Sequence, residues 1–403
     1  VKKLIQDPID HCKVQDIVSS VKEPPNTFRA LLFLAGTGSY LLWAAGAAIP
    51  LLRLDFGISR TLASAHNIST GLGSVLGARF AVTLLKIFGR QNLTRAMIVV
   101  MFIGILALVA GNTIWITVPA CGFAAYAQTT INALSLAQIS HDDQPSLRRM
   151  LLQTGIQAGV GGTAIFLISA SLHADLGWRL PVYAGLFLLS PLALVVVWQV
   201  KFLNSSSSEM LHAHHMKSSK LKFQVLLLGV LMSFVEIGVS FWAIDLLISR
   251  GAKVALGALG SALLAFGICT IRIGIAFSHM KPPQVMVLAV ALLLTGISMI
   301  CLVHSAGATM IGLVISGCGT APLFAASVFQ ISEGYPDAEL RISRYMMGTS
   351  IAIGLAPFFL AIVFDNVGFI AGYAILIPVV GAAYLLWRGL GRHRTFNFQI
   401  STS

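Results

Sequence analysis

Runs of about 20 apolar residues recur along this chain, each closed by a short polar connector. A run of that length matches the ~30 Å hydrocarbon thickness of a bilayer at ~1.5 Å per residue. In hydrocarbon every backbone N–H and C=O must be bonded within the protein, which leaves only helices and closed barrels. Barrel strands alternate apolar and polar residues over ~10 positions, whereas AMIVVMFIGILALVA at 96–110 is apolar on every face. That pattern selects helices. Only 10% of the residues are charged, against roughly 25% in an ordinary soluble domain, too few to build a water-facing surface. The sequence therefore predicts an all-α polytopic membrane protein.

Apolar runs and polar breaks place spans at 28–51, 62–85, 96–111, 114–139, 150–172 and 180–200, then at 223–249, 255–278, 284–303, 309–331, 345–364 and 369–387. This is an expectation of twelve transmembrane helices. The separation of the third and fourth spans rests on a tight turn at Gly111, Asn112 and Thr113. Lysines and arginines set orientation, because they are retained on the cytoplasmic side. With the N-terminus inside, 20 of the 27 basic residues fall on that side, and Arg53, Arg60, Arg179, Arg250 and Lys253 fall on the other. Residues 1–27 read as a cytoplasmic tail, since their charges are mixed and no apolar core marks a signal peptide. Both termini are expected in the cytoplasm and the protein in the plasma membrane, the inner one in a Gram-negative cell.

The net charge of +12 does not indicate nucleic acid, because the basic residues lie between spans and form no face with interleaved aromatics. Cys12, Cys121, Cys269, Cys301 and Cys318 are scattered without metal spacing. His212, His214 and His215 sit in a solvated segment and are not read as a metal site. The sequons at 92–94 and 204–206 fall on the cytoplasmic side and are read as chance matches. No G-x-x-x-x-G-K-[ST] loop occurs, so neither nucleotide nor any other cofactor is expected.

The longest break, KFLNSSSSEMLHAHHMKSSKLK at 201–222, is a serine-rich basic linker that separates six spans from six. Features recur across it in one order: Gly122 with Gly317, Gly155 with Gly348, and ADLGWRLP at 174–181 with FDNVGFIAG at 364–372. Two pseudo-symmetric six-helix bundles at 28–200 and 223–388, followed by a tail at 389–403, are the expected domains.

Several segments resemble the major facilitator superfamily. LLKIFGRQNLTR at 84–95 resembles the family's loop after the second helix in its Gly89-Arg90 pair, although Lys86 stands where the family has Asp and Val82 where it has Gly. LGWRLP at 176–181 and GCGTAPLFAA at 317–326 resemble segments after the fifth helix and in the tenth. The resemblance implies a transporter with a central cavity lined by the first, fourth, seventh and tenth helices. It also implies a gating loop at Lys86, Gly89 and Arg90.

An ionisable group inside a bilayer is costly unless it faces a partner or a wet cavity. Glu236, in the middle of the seventh span, is the deepest acidic residue. It is a candidate proton carrier, with Arg272 of the eighth span as candidate partner. Asp245, nine residues on, lies about 180° around the helix and is assigned to an interface or outer cavity. Arg79 is expected to snorkel. Gln128 with Asn132, and Gln153 with Gln157, form i,i+4 amide stripes that bind either a solute or a neighbouring helix. Tyr40, Trp43, Gln128, Asn132, Gln157 and Trp242 are the candidate substrate contacts. Trp178, Tyr335 and Trp387 are read as interfacial anchors.

These readings converge on a secondary transporter of a small solute, working as a monomer by alternating access and coupled to protons through Glu236. The alternatives are a membrane enzyme acting on lipid and the permease subunit of a larger complex. The first would need a catalytic constellation, and the acidic cluster Glu333, Asp337, Glu339 reads instead as a charged loop beside Arg341 and Arg344. The second would not call for two matching halves. A single cysteine at Ser206 or Ser403, in a background freed of the five native cysteines, is expected to react with an impermeant maleimide only after cells are broken. Labelling of either from outside intact cells overturns this topology.

Overall fold

The computed structural model describes residues 25–139, 147–199, 219–333, 335 and 337–400. Most of the N-terminal tail and of the 201–222 linker, including its three histidines and its sequon, lies outside the described residues, as does the side chain of Glu339. The described residues are helical, with no strand. The first half of the chain contains α1 (Pro25–Phe56), α2 (Arg60–Ala63), α3 (Ala65–Ala110), α4 (Ile114–Ile139), α5 (Leu147–His173) and α6 (Arg179–Gln199). The second contains α7 (Ser219–Ser240), α8 (Ala243–Ser249), α9 (Val254–Ala276), α10 (Pro282–Leu302), α11 (Ala306–Thr320), α12 (Leu323–Ser332), α13 (Ala338–Asn366) and α14 (Phe369–Ile400).

Ten segments among the described residues are long and apolar enough to cross a membrane. The expected spans at 62–85 and 114–139 are helical but fall outside those ten. Their polar residues are the cause, and the packing explains why such residues are tolerated: His66, Asn67, Gln128 and Thr130 are buried between helices. α3 and α4 lie close together along their length. A Cβ on Gly77 would sit 2.6 Å from the Tyr126 carbonyl, and one on Gly104 would sit 2.9 Å from the Ala124 nitrogen. Small residues let the backbones approach, and packing replaces apolar contact with lipid.

The expected loop at 86–95 is not a loop. Helix runs up to and away from Gly89, whose φ of 70° and ψ of 159° interrupt α3 and turn the chain. Lys86 and Gly89 are exposed beside the turn, while Arg90 is buried and donates from Nη1 to the Leu134 carbonyl at 3.2 Å. The seventh and tenth spans are each split. Trp242 (φ −94°, ψ 18°) separates α7 from α8. Pro322, which has no N–H to give and crowds the preceding turn, separates α11 from α12. Trp178 and Trp387 are 4% exposed, so they are packed residues and not interfacial anchors. Trp178 instead donates from Nε1 to Asp55 at 3.0 Å.

The turns far from the linker repeat across the chain. Gly57 after α1 and Gly251 after α8 have φ of 62° and 85°, and Gly177 and Gly368, after α5 and α13, have φ of 78° and 102°. Only glycine adopts this backbone without cost. The halves meet along two lateral seams, α3 with α13 and α5 with α9. The glycines of α5 form the second seam: a Cβ on Gly155 would lie 3.2 Å from Arg272 Cβ, and one on Gly162 would lie 3.1 Å from Ala265 Cβ.

Within the second half, α7 and α13 pack through Gly229 and Gly348, where a Cβ on Gly348 would lie 2.9 Å from the Val230 nitrogen. Gly348→Ala is expected to lower the thermal unfolding midpoint in detergent, consistent with an overpacking cost of about 1–3 kcal/mol. Gly274→Ala, where nothing lies within 4 Å, should be neutral or stabilising through helix propensity. Equal effects of the two would reject this close approach of α7 and α13.

Candidate functional site

Between the halves lies a cavity of about 300 Å³, bordered by α1, α3, α4 and α5 on one side and by α7, α8, α9 and α13 on the other. Its wall includes Trp43, Asn67, Thr70, Cys121, Ile165, Glu236, Ser240, Phe241, Ser261, Leu264 and Ile268. Trp43 rests on Gly161 of α5, which has no side chain to displace the indole. The break at Trp242 falls between Phe241 and Ile244, which both line this space, whereas the tenth span, split at Pro322, contributes no residue to the wall.

Glu236 and Arg272 meet, as the sequence anticipates. Arg272 Nη2 donates to Glu236 Oε1 at 3.1 Å, Nε donates to the Ala321 carbonyl at 2.6 Å, and Nη1 donates to the Thr154 carbonyl at 3.1 Å. One guanidinium thus joins α9 to α7, to the α11–α12 break and to α5 of the other half. The Arg272 side chain is 7% exposed and that of Glu236 is 24% exposed, so the carboxylate is the cavity-facing partner. Ser240 donates its hydroxyl to the Glu236 backbone carbonyl at 2.8 Å.

The other candidate contacts do not gather around the cavity. Tyr40 donates to the Pro181 carbonyl at 3.0 Å and ties α1 to α6. Gln128 donates from Nε2 to Asn132 Oδ1 at 3.0 Å and packs over Gly38. Trp242 is fully buried and donates from Nε1 to the Pro357 carbonyl at 3.0 Å. Gln157 is half-buried, outside the cavity wall. Of the six, only Trp43 lines the cavity.

Sequence reasoning missed a second cluster, at the end of the helices far from the linker. Asp245, 1% exposed, is paired with Arg53 across the halves and lies 3.9 Å from Arg60. Arg60 Nη1 donates to Asp365 Oδ1 at 3.1 Å, and the Thr61 N–H and hydroxyl both reach Asp365 Oδ2 at 2.9 Å. Ser169 donates to the Ala255 carbonyl at 2.7 Å near the same end. Arg53 and Arg60 read as loop charges because their partners are about 190 and 300 residues away. The only sequence signal was Asp245, an acid inside a span.

Two arginines and two aspartates balance each other here and tie the first half of the chain to the second at this end. Removing one member of a buried pair leaves the other unpaired at about 3–5 kcal/mol, whereas an exposed pair is worth at most about 1 kcal/mol. Asp245→Asn is therefore expected to lower the thermal unfolding midpoint clearly more than Asp365→Asn, whose side chain is 21% exposed. The reverse order would reject this tie.

No family model matches the chain, and no curated protein matches it in sequence. Solved structures do. A mutant of the nucleoside transporter NupG covers 90% of this chain and 99% of its own, at TM-score 0.69 and 11% identity. The xylose transporter XylE from E. coli, in an inward-open conformation, covers 90% and 95% at TM-score 0.66 and 12% identity. The human organic anion transporter MFSD10 covers 91% and 100% at TM-score 0.64 and 12% identity. At such identities the likeness is one of fold, spread over nearly the whole chain. The chain shares its fold with these transporters, of which XylE is described as a major facilitator superfamily protein.

Proposed function

We propose that this protein is a secondary transporter that moves a small organic solute by alternating access through the cavity between its halves, with Glu236 and Arg272 as the coupling pair. The observation that carries this reading is a buried arginine that bonds a cavity-facing carboxylate and the opposite half at once. The proteins of like fold are named for nucleosides, xylose and organic anions, which supports a small organic solute.

Twelve spans in two six-helix bundles, 28–200 and 223–388, fit the paired turn glycines on either side of the linker. In the proposed cycle the bundles rock about the lateral seams, and the Arg53–Asp245 and Arg60–Asp365 contacts break when the far end opens. Lys86, Gly89 and Arg90 form the turn that moves at the linker end. When Glu236 takes a proton, Arg272 loses a charge partner but keeps two carbonyls. The contact with Thr154 then becomes costlier to break, because the guanidinium has lost its counter-ion and rests on its two carbonyls, so proton uptake favours the arrangement in which α5 and α9 stay joined. Trp43 contacts the solute, while Tyr40, Gln128, Asn132, Gln157 and Trp242 set the helix positions around it. The termini and linker face the cytoplasm, and the protein acts in the plasma membrane as a monomer.

Purified protein in liposomes, screened against small organic solutes with and without a pH gradient, tests the reading. Glu236→Gln keeps the shape and removes the titratable charge. It is expected to insert and fold, to lose gradient-driven accumulation at least tenfold, and to retain exchange at saturating solute. Unchanged pH-dependent accumulation by Glu236→Gln would reject the coupling role.

A further inference from the structure

The wall of the central cavity constrains what can dwell in it. Its surface is mainly aliphatic and aromatic, with Trp43 and Phe241 among its rings. The neutral polar side chains on it are few, and two hydroxyls are already committed: Thr70 donates to the His66 carbonyl at 2.8 Å and Ser240 to the Glu236 carbonyl at 2.8 Å. A pyranose or nucleoside brings four or more hydrogen-bonding oxygens, and each one buried without a partner costs about 1–3 kcal/mol. Such a wall selects against hydroxyl-rich solutes, even though proteins of this fold include a xylose symporter and a nucleoside transporter.

Charge narrows the class further. Among the described residues lining the cavity, Glu236 is the one charged side chain, and no lysine or arginine joins it. Arg272 stands behind the carboxylate, 7% exposed, with its charge directed at Glu236 and at two carbonyls. An anionic solute would meet Glu236 and find no counter-charge on the wall, an arrangement that rejects it. A cation would meet an acceptor carboxylate on a wall that also carries the rings of Trp43 and Phe241, and aromatic faces attract positive charge through the ring quadrupole. If it draws Glu236 away from Arg272, the guanidinium still holds Ala321 and Thr154. The cavity volume of about 300 Å³ is at the lower end of the range for small-molecule sites, roughly 300–1,000 Å³, which suits a two-ring solute.

We infer that the solute class is the small, mainly apolar aromatic organic cation, seated with its rings against Trp43 and Phe241 and its charge toward Glu236. This inference rests on the transport reading above and narrows it. The test uses purified full-length protein and four probes: 1-methyl-4-phenylpyridinium, biphenyl-4-carboxylate as a two-ring anion of similar shape, D-xylose and uridine. Equilibrium binding is expected for the cation alone. Trp43→Leu, which keeps an apolar wall, should weaken it about tenfold, and Glu236→Gln at least as much, both variants being checked for native helical content and a monodisperse elution profile. Should either variant fail to fold, competition decides: the anion at tenfold excess should leave cation binding intact. Binding of D-xylose, uridine or the anion in preference to the cation, or no cation binding, overturns the inference. Counterflow in liposomes separates the two readings, since cation binding without counterflow would remove transport and leave the solute class standing.

Discussion

A charge that leaves water must be met by another, and the arrangement around Arg272 follows from that requirement. An arginine is never deprotonated in a protein, so at 7% exposure it must find an anion or several carbonyl dipoles. Here it finds both, and each comes from a different element: Glu236 on α7, Ala321 at the α11–α12 break and Thr154 on α5. The break at Pro322 is what leaves the Ala321 carbonyl outside a regular helical ladder. The glycine at 155 is what lets α9 come near enough for the third bond. Remove either feature and the guanidinium is short of a partner.

The far-end cluster obeys the same rule with a different outcome. Asp245 is more deeply buried than Glu236, and it is held by two arginines from the other half. Its pairing therefore opposes separation of the halves at that end, whereas Arg272 holds one carboxylate within its own half and one carbonyl across. Beside Glu236 lies a largely apolar cavity whose wall carries few polar side chains. Lateral contact is supplied by small residues, which pack by van der Waals contact without directional bonds. Seams of that kind hold the halves without directional bonds, in contrast to the ionic contacts at the far end.

Much of this was legible in the amino-acid order. The helical class, the apolar runs, the depth of Glu236 and its pairing with Arg272 follow from periodicity and rise per residue, because both are local geometry. Gly177 and Gly368, read as echoed segments, prove to be turn residues of like conformation. The 86–95 loop was misjudged because one glycine with positive φ turns a chain whose flanking residues all remain helical. Trp178 and Trp387 were misjudged because a tryptophan near a span end has the same sequence signature whether lipid headgroups or neighbouring helices surround it.

The sequence by itself determined that this chain spans a membrane as helices and that an acid and an arginine share its interior, since hydrocarbon tolerates little else. Tertiary structure decided which polar residues face the cavity. Tyr40, Gln128 and Trp242 carry the right chemistry for a solute, but Tyr40 and Trp242 spend it on neighbouring helices and Gln128 on Asn132 of its own. The choice between solute and helix depends on the rotation of each helix about its axis, which the packing of distant partners sets. The same holds for the pairing of Arg53 with Asp245 and of Arg60 with Asp365. Those contacts exist only because two halves encoded far apart meet at one end, and no local pattern carries that information.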